Sequence, residues 1–77
     1  MDRSIYSERR NRLRELLRDI RTEAGLRQVD LAQRLDQPQS FVSKYEAGER
    51  RLDIVELEQV CIACGVSLAS FVSRFEP

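Results

Sequence analysis

Residues 28 to 46, QVDLAQRLDQPQSFVSKYE, narrow most sharply what this chain can become. Leu31, Ala32 and Leu35 fall at helical spacing, and so do Val42 and Tyr45, so each set marks the apolar side of a short helix. Asp36-Gln37-Pro38 separates them as a turn. Aspartate tolerates left-handed backbone better than most residues, and the fixed φ of proline suits a helix start. The spacing predicts helix 2 over about 28–35 and helix 3 over about 39–46. The outer side of helix 3 is then left with Gln39, Ser40, Ser43 and Lys44.

The same periodicity places the rest of the chain. Leu13, Leu16, Leu17, Ile20 and Ala24 form one stripe, with Ser7 as N-cap, Glu8 in the first turn and Gly25 at the left-handed C-terminal position. Helix 1 is predicted from about residue 8 to residue 24. Its outer face carries Arg9, Arg10, Arg12, Arg14, Arg18 and Arg21, with Glu15 and Asp19 at pairing distance, which reads as a solvated, ion-paired face. Gly48 stops helix 3, and EAGERR reads as a loop. Asp53 and Glu56 resemble a capping box that opens helix 4, whose inner face holds Leu57, Val60, Cys61 and Cys64 up to Gly65. Ser67 caps helix 5, Val66 and Phe71 match a hydrophobic staple, and Phe71, Val72 and Phe75 form its apolar side.

There is no strand signal, repeat or linker. The fold class is therefore all-α, a compact bundle of five short helices, with residues 1–77 as a single domain. Helix 5 comes last and carries two Phe, so excess apolar surface, and with it a dimer contact, is expected there.

Composition removes most other functions. With 42% hydrophobic and 34% charged residues the chain is globular, but at 77 residues its stability margin is thin. No apolar run is long enough to span a bilayer and no signal segment precedes the first helix, so a cytoplasmic protein without a membrane partner is expected. Histidine is absent, as are a Gly-rich phosphate loop and a Ser/His/Asp set. That leaves catalysis without a base and calls for no cofactor. Cys61 and Cys64 form CIAC, but they are the only cysteines, and a zinc site would need ligands from a second chain. At i and i+3 on the apolar side of helix 4 they read as small core residues, with no metal expected. Asp36, Glu46 and Glu49 are explained by turn, helix-end and loop positions rather than as a carboxylate cluster.

Thirteen basic and thirteen acidic side chains cancel, which argues against a nucleic-acid partner. Their distribution softens this. Residues 1–25 hold seven Arg against five acids, whereas residues 52–77 hold one Arg against four acids. One end is mildly basic, as suits a protein with a single DNA-facing surface.

Two helices at a tight turn can set the second into the major groove, N-terminal residues foremost. Glutamine pairs bidentately with adenine, lysine donates to guanine, and serine adapts to either. This makes Gln39, Ser40 and Lys44 the first candidates for base contact, with Ser43 beside them. Gln28 is placed to approach a phosphate, Arg50 and Arg51 follow helix 3 in a loop, and Phe41 either touches a thymine methyl or packs against Ile5 and Tyr6.

From GLRQVDLAQRLDQPQSFVSKYEAGERR to LEQVCIACGV, residues 25 to 66, the chain resembles the lambda-repressor-like helix-turn-helix proteins, also called the Cro/CI or xenobiotic-response-element (XRE) type. Gly25, Leu31, Ala32, Gln39, Val42, Glu46, Gly48 and Gly65 are among the residues that carry the likeness. With helices 1 and 5 it covers nearly the whole chain. The resemblance implies a five-helix DNA-binding transcriptional regulator of bacterial or phage type, associated with the nucleoid when bound, working as a homodimer on a pseudo-palindromic operator. It implies base reading by Gln39, Ser40 and Lys44, with Gln28 on the backbone. The role stays open between a prophage repressor, a restriction-modification controller and an antitoxin with a toxin or other protein as partner. Three residues depart from the pattern. Arg27 replaces the usual capping Thr and can reach a phosphate instead, Asp36 replaces a turn Gly, and Pro38 replaces a capping Ser or Thr. The rival reading is a protein-interaction module that has lost operator binding, which the zero net charge favours.

Overall fold

The structure, a computed structural model, describes the backbone of residues 3–77 and the side chains from residue 7 onward. Five helices follow one another: α1 Arg3–Glu23, α2 Gln28–Arg34, α3 Gln39–Ala47, α4 Ile54–Ala63 and α5 Leu68–Phe75. No strand occurs among the described residues, and the fold is all-α. No single helix is long and apolar enough to cross a membrane.

Leu16, Leu17 and Ile20 of α1 meet Leu31 and Ala32 of α2, Val42 and Tyr45 of α3, Val60, Cys61 and Cys64 at α4, and Phe71 of α5 in one buried cluster. The two cysteines are core residues with free thiols. Burial pushes both thiols up, that of Cys64 to about 11, so neither is a reactive thiolate at neutral pH. α3 packs on α2 and α1, α4 on α5 and α2, and α5 returns to α1.

Four helix ends close in the same way. At the end of α2 the Gln37 N–H donates to the Ala32 carbonyl (2.9 Å) and the Asp36 N–H to the Gln33 carbonyl (3.2 Å), the two bonds of a Schellman turn. Asp36 takes the left-handed conformation this requires, with φ 54°, and is the only non-glycine to do so among the described residues. Helices α1, α3 and α4 end on Gly25, Gly48 and Gly65. The predicted caps of α4 and α5 are in place. Asp53 Oδ1 accepts the Glu56 N–H (2.7 Å) while Glu56 Oε1 accepts the Asp53 N–H (2.9 Å), and Ser67 Oγ accepts the Ser70 N–H (3.0 Å).

Four expectations are corrected. Helix α1 begins at Arg3, so Ser7 lies inside it rather than capping it. An interior Ser costs only about 0.5 kcal/mol relative to Ala, too little to end a helix on its own. Ala24 is exposed in the turn after α1 instead of joining the stripe. Arg21 is buried rather than outward, because it stands four residues after Leu17 at the edge of that stripe. The exposed apolar surface sits mainly on α4, with Ile54, Val55 and Ile62, whereas α5 contributes only the marginal Val72. Phe71 and Phe75 of α5 turn inward against the core.

The arginines of α1 do not pair with Glu15 or Asp19 among the described residues. Arg9 and Arg12 donate to the Phe75 and Arg74 carbonyls at the C-terminal end of α5, and Arg9 stacks on the Phe75 ring at 4.0 Å. Cations there offset the negative end of the α5 dipole.

Candidate nucleic-acid interface

The start of α2 and the start of α3 lie side by side, joined through their first residues. Gln39 Nε2 donates to Gln28 Oε1 at 3.4 Å, and Gln28 Nε2 donates to Glu46 Oε1 at 3.1 Å. Glu46 is itself clamped by Arg21, whose Nε reaches Oε2 at 2.7 Å and whose Nη2 reaches Oε1 at 3.0 Å. A third guanidinium N–H of Arg21 is taken by the Leu26 carbonyl at 2.9 Å. A hydrogen-bonded row thus runs from inside α1 to the exposed tip of α3.

The row has a chemical consequence. Gln39 spends one N–H on Gln28 and keeps its carbonyl oxygen and second N–H outward. Those are the acceptor and donor that an adenine edge requires. Gln28 is half-buried, with both ends of its amide engaged, so it positions Gln39 and retains a single free N–H. Ser40 and Lys44 are exposed on successive turns of α3. The Ser43 hydroxyl donates back to the Ser40 carbonyl at 3.3 Å. Pro38 occupies the N-cap of α3 with no side-chain cap; the Phe41 N–H donates to the Pro38 carbonyl at 2.9 Å, which leaves the Gln39 and Ser40 amides to an outside acceptor.

The basic candidates are arranged differently. Arg27 is locked on Asp30, Nε to Oδ2 at 3.0 Å and Nη2 to Oδ1 at 2.9 Å, while Asp30 Oδ2 also accepts the Arg27 backbone N–H at 2.9 Å. The carboxylate thus satisfies the N–H of the N-cap residue itself, while the helix N–H that a Thr would have capped has no side-chain acceptor. The Arg27 guanidinium holds the Asp30 carboxyl down at about 2, and its own exposed face remains open. Arg50 pairs with Glu56 at 2.8 Å and stacks over Phe41 at 4.6 Å. Phe41 is half-buried edge-on to Tyr45, with ring centroids 5.6 Å apart. Ile5 and Tyr6, its other expected neighbours, lie outside the described side chains. Arg51 is exposed and has no ion pair among the described residues.

The bundle therefore gathers Gln28, Gln39, Ser40 and Lys44 on one side and sets Arg50 and Arg51 at the far end of α3. Arg21 and Glu46 were missed as positioning residues. They stand 25 residues apart, so no local pattern joins them, although the place of Arg21 beside the apolar stripe was a readable hint.

Two short helices at a Schellman turn, with a rigidly held polar tip on the second, define a DNA-binding helix-turn-helix. Residues 17–71 match the helix-turn-helix family model, and the chain belongs to that family, in its XRE branch. Solved structures agree. An XRE-family like protein from Pseudomonas syringae pv. tomato str. DC3000 is 41% identical, with TM-score 0.88 over 95% of this chain and 89% of that one. The wild-type restriction-modification controller protein C.Esp1396I is 27% identical, with TM-score 0.80 over 87% of each chain. The clp gene regulator ClgR from C. glutamicum is 27% identical, with TM-score 0.77 over 87% and 86%. No curated protein sequence matches. The protein is a DNA-binding regulator of a non-enzymatic family.

Proposed function

We propose that the protein is a sequence-specific transcriptional regulator that reads duplex DNA as a homodimer, with α3 in the major groove. Gln39, Ser40 and Lys44 make the base contacts, with Ser43 beside them. Gln28, Arg27, Arg50 and Arg51 hold the phosphates. The carrying observation is the Arg21–Glu46–Gln28–Gln39 row. It holds a base-reading amide in one orientation before DNA arrives, which lowers the ordering cost of recognition.

The dimer is supported by the exposed apolar side of α4. Ile54, Val55 and Ile62 fall within about 100° of helix surface, with Glu58 between them. The similarity to a restriction-modification controller favours that role over a toxin-neutralising one.

Selection from a pool of randomised duplexes at low salt tests the reading. A two-fold related site with half-site centres about 34 Å apart is expected. Enrichment of no sequence at all would leave only the interaction-module alternative.

A further inference from the structure

A groove of ≈ 470 Å³ runs between the outer side of α1 and the segment that follows α3. Arg10 and Arg14 border it from α1, Arg50 and Arg51 border it from the loop, and Leu17 and the buried Tyr45 lie along its lining. No carboxylate lines it among the described residues. In a chain with as many acids as bases, that segregation is informative.

The charge in the groove is largely uncompensated. Only Arg50 has a carboxylate partner, Glu56. Arg14 bonds to neutral groups alone, the Glu46 carbonyl at 3.3 Å and Asn11 Oδ1. Arg10 and Arg51 are exposed and unpaired among the described residues. Most other arginines are already engaged: Arg21, Arg27 and Arg74 by carboxylates, Arg9, Arg12 and Arg34 by helix-end carbonyls. Like charges collected around a concave wall repel one another and focus positive potential. A ligand whose oxygens fit planar guanidinium forks relieves that repulsion, and phosphate is such a ligand.

We propose that this groove is a phosphate-binding site for the DNA backbone flanking the bases read by α3, with Arg10 and Arg14 of α1 as phosphate ligands. The proposal rests on the reading of α3 as the recognition helix. The groove opens at the C-terminal end of that helix, through Arg51. α3 has nine residues and is about 13 Å long, roughly four nucleotide steps along one strand, so a single duplex spans both sites.

The test compares salt dependence of binding to a selected duplex for the full chain and for Arg10→Gln, Arg14→Lys and the double Arg10→Gln/Arg14→Gln variant. Removing one phosphate ligand flattens the log–log salt slope by about 0.9 and shrinks the fall in affinity between about 50 and 200 mM salt by about 3.5-fold. Arg10→Gln is expected to show one such step and the double variant two, with base preference unchanged and Arg14→Lys close to wild type. Trimming the duplex flanks is expected to weaken the wild type more than the double variant, which keeps only Arg50 and Arg51 in the groove. A wild-type slope in Arg10→Gln and in the double variant, on a duplex the wild type binds, overturns the groove assignment alone. Failure of the wild type to bind any duplex overturns the recognition-helix reading as well. If inorganic phosphate shifts the Arg10 and Arg14 Nε–Hε resonances while both variants keep the wild-type slope, the site takes a small anion and the DNA assignment is wrong.

Discussion

The Arg21 guanidinium and the Glu46 carboxylate form a two-pronged ion pair across the α1–α3 contact, at 2.7 and 3.0 Å, with side chains only 11% and 7% exposed. Removing one partner strands the other charge in the interior. Glu46→Ala is therefore expected to destabilise the protein by about 3 kcal/mol or more, measured by urea denaturation. Replacing both by apolar residues, as in Arg21→Met/Glu46→Leu, is expected to restore most of that stability. The same double variant releases Gln28, so base discrimination is expected to fall even though the fold survives. Retained discrimination in a stable double variant would show that the row does not orient Gln39.

At the tip of α3, two substitutions are expected to lower both affinity and base preference. Gln39→Ala should cost about 1–3 kcal/mol on the preferred site and relax preference at one base position. Lys44→Ala should weaken binding and relax the preference for guanine at the base position it contacts. Binding isotherms on the selected duplex and on single-base variants of it check both.

Acid stability depends on Asp30. Its carboxyl lies at about 2 in the folded protein because the Arg27 side chain and backbone N–H both hold the ionised form. A lowered folded value means that the contribution is complete above the unfolded value near pH 4 and disappears as the pH falls toward 2. Glu23 and Glu56, held down by Arg74 and Arg50, act in the same direction. Urea midpoints recorded across this range should decline less steeply for Asp30→Asn than for the wild type, and superimposable acid limbs would rule out the pair as a contributor.

Asp36 carries a φ of 54° where α1, α3 and α4 end on glycine. Asp36→Gly should raise stability by about 0.5 kcal/mol, the relief of left-handed strain being partly offset by the greater freedom of the unfolded chain. Asp36→Val should lower it by about 1–2 kcal/mol, because a β-branched residue is poorly tolerated there. Thermal melts of the two variants should bracket the wild type.

Ile62 is 59% exposed on α4. If α4 forms the dimer contact, Ile62→Lys should convert a sedimenting dimer to monomer while leaving the melting temperature of the monomer unchanged. The new side chain lies four residues after Glu58 and gains a helical ion pair. An unaltered oligomeric mass would move the contact elsewhere.

Much of this protein is written locally. The caps at Asp53 and Ser67, the left-handed stops at Gly25, Gly48 and Gly65, the left-handed Asp36, and the apolar registers of α2, α3 and α4 each depend on residues within one or two turns of one another. Such interactions are set by backbone geometry and side-chain spacing, and a linear reading recovers them. The outward placement of Gln39, Ser40 and Lys44 follows directly, since burying Val42 and Tyr45 leaves those positions no other side. Ser7 and Ala24 misled because single residues at helix ends have preferences that are weak beside those of their neighbours.

Partners far apart in the chain are another matter. Arg21 looked like one more outward arginine until α3 brought Glu46 beside it, and nothing local to Gln28 marked its amide as a partner of the same carboxylate. Arg10 and Arg14 became the wall of a groove only when the loop after α3 folded against α1, and Ile54, Val55 and Ile62 became surplus only once the core was filled from the opposite face of α4. The helices and their inward faces are decided by interactions across three or four residues. The hydrogen-bonded row, the basic groove and the exposed apolar face are decided by which helices pack together, because burial and ion pairing depend on distance in space.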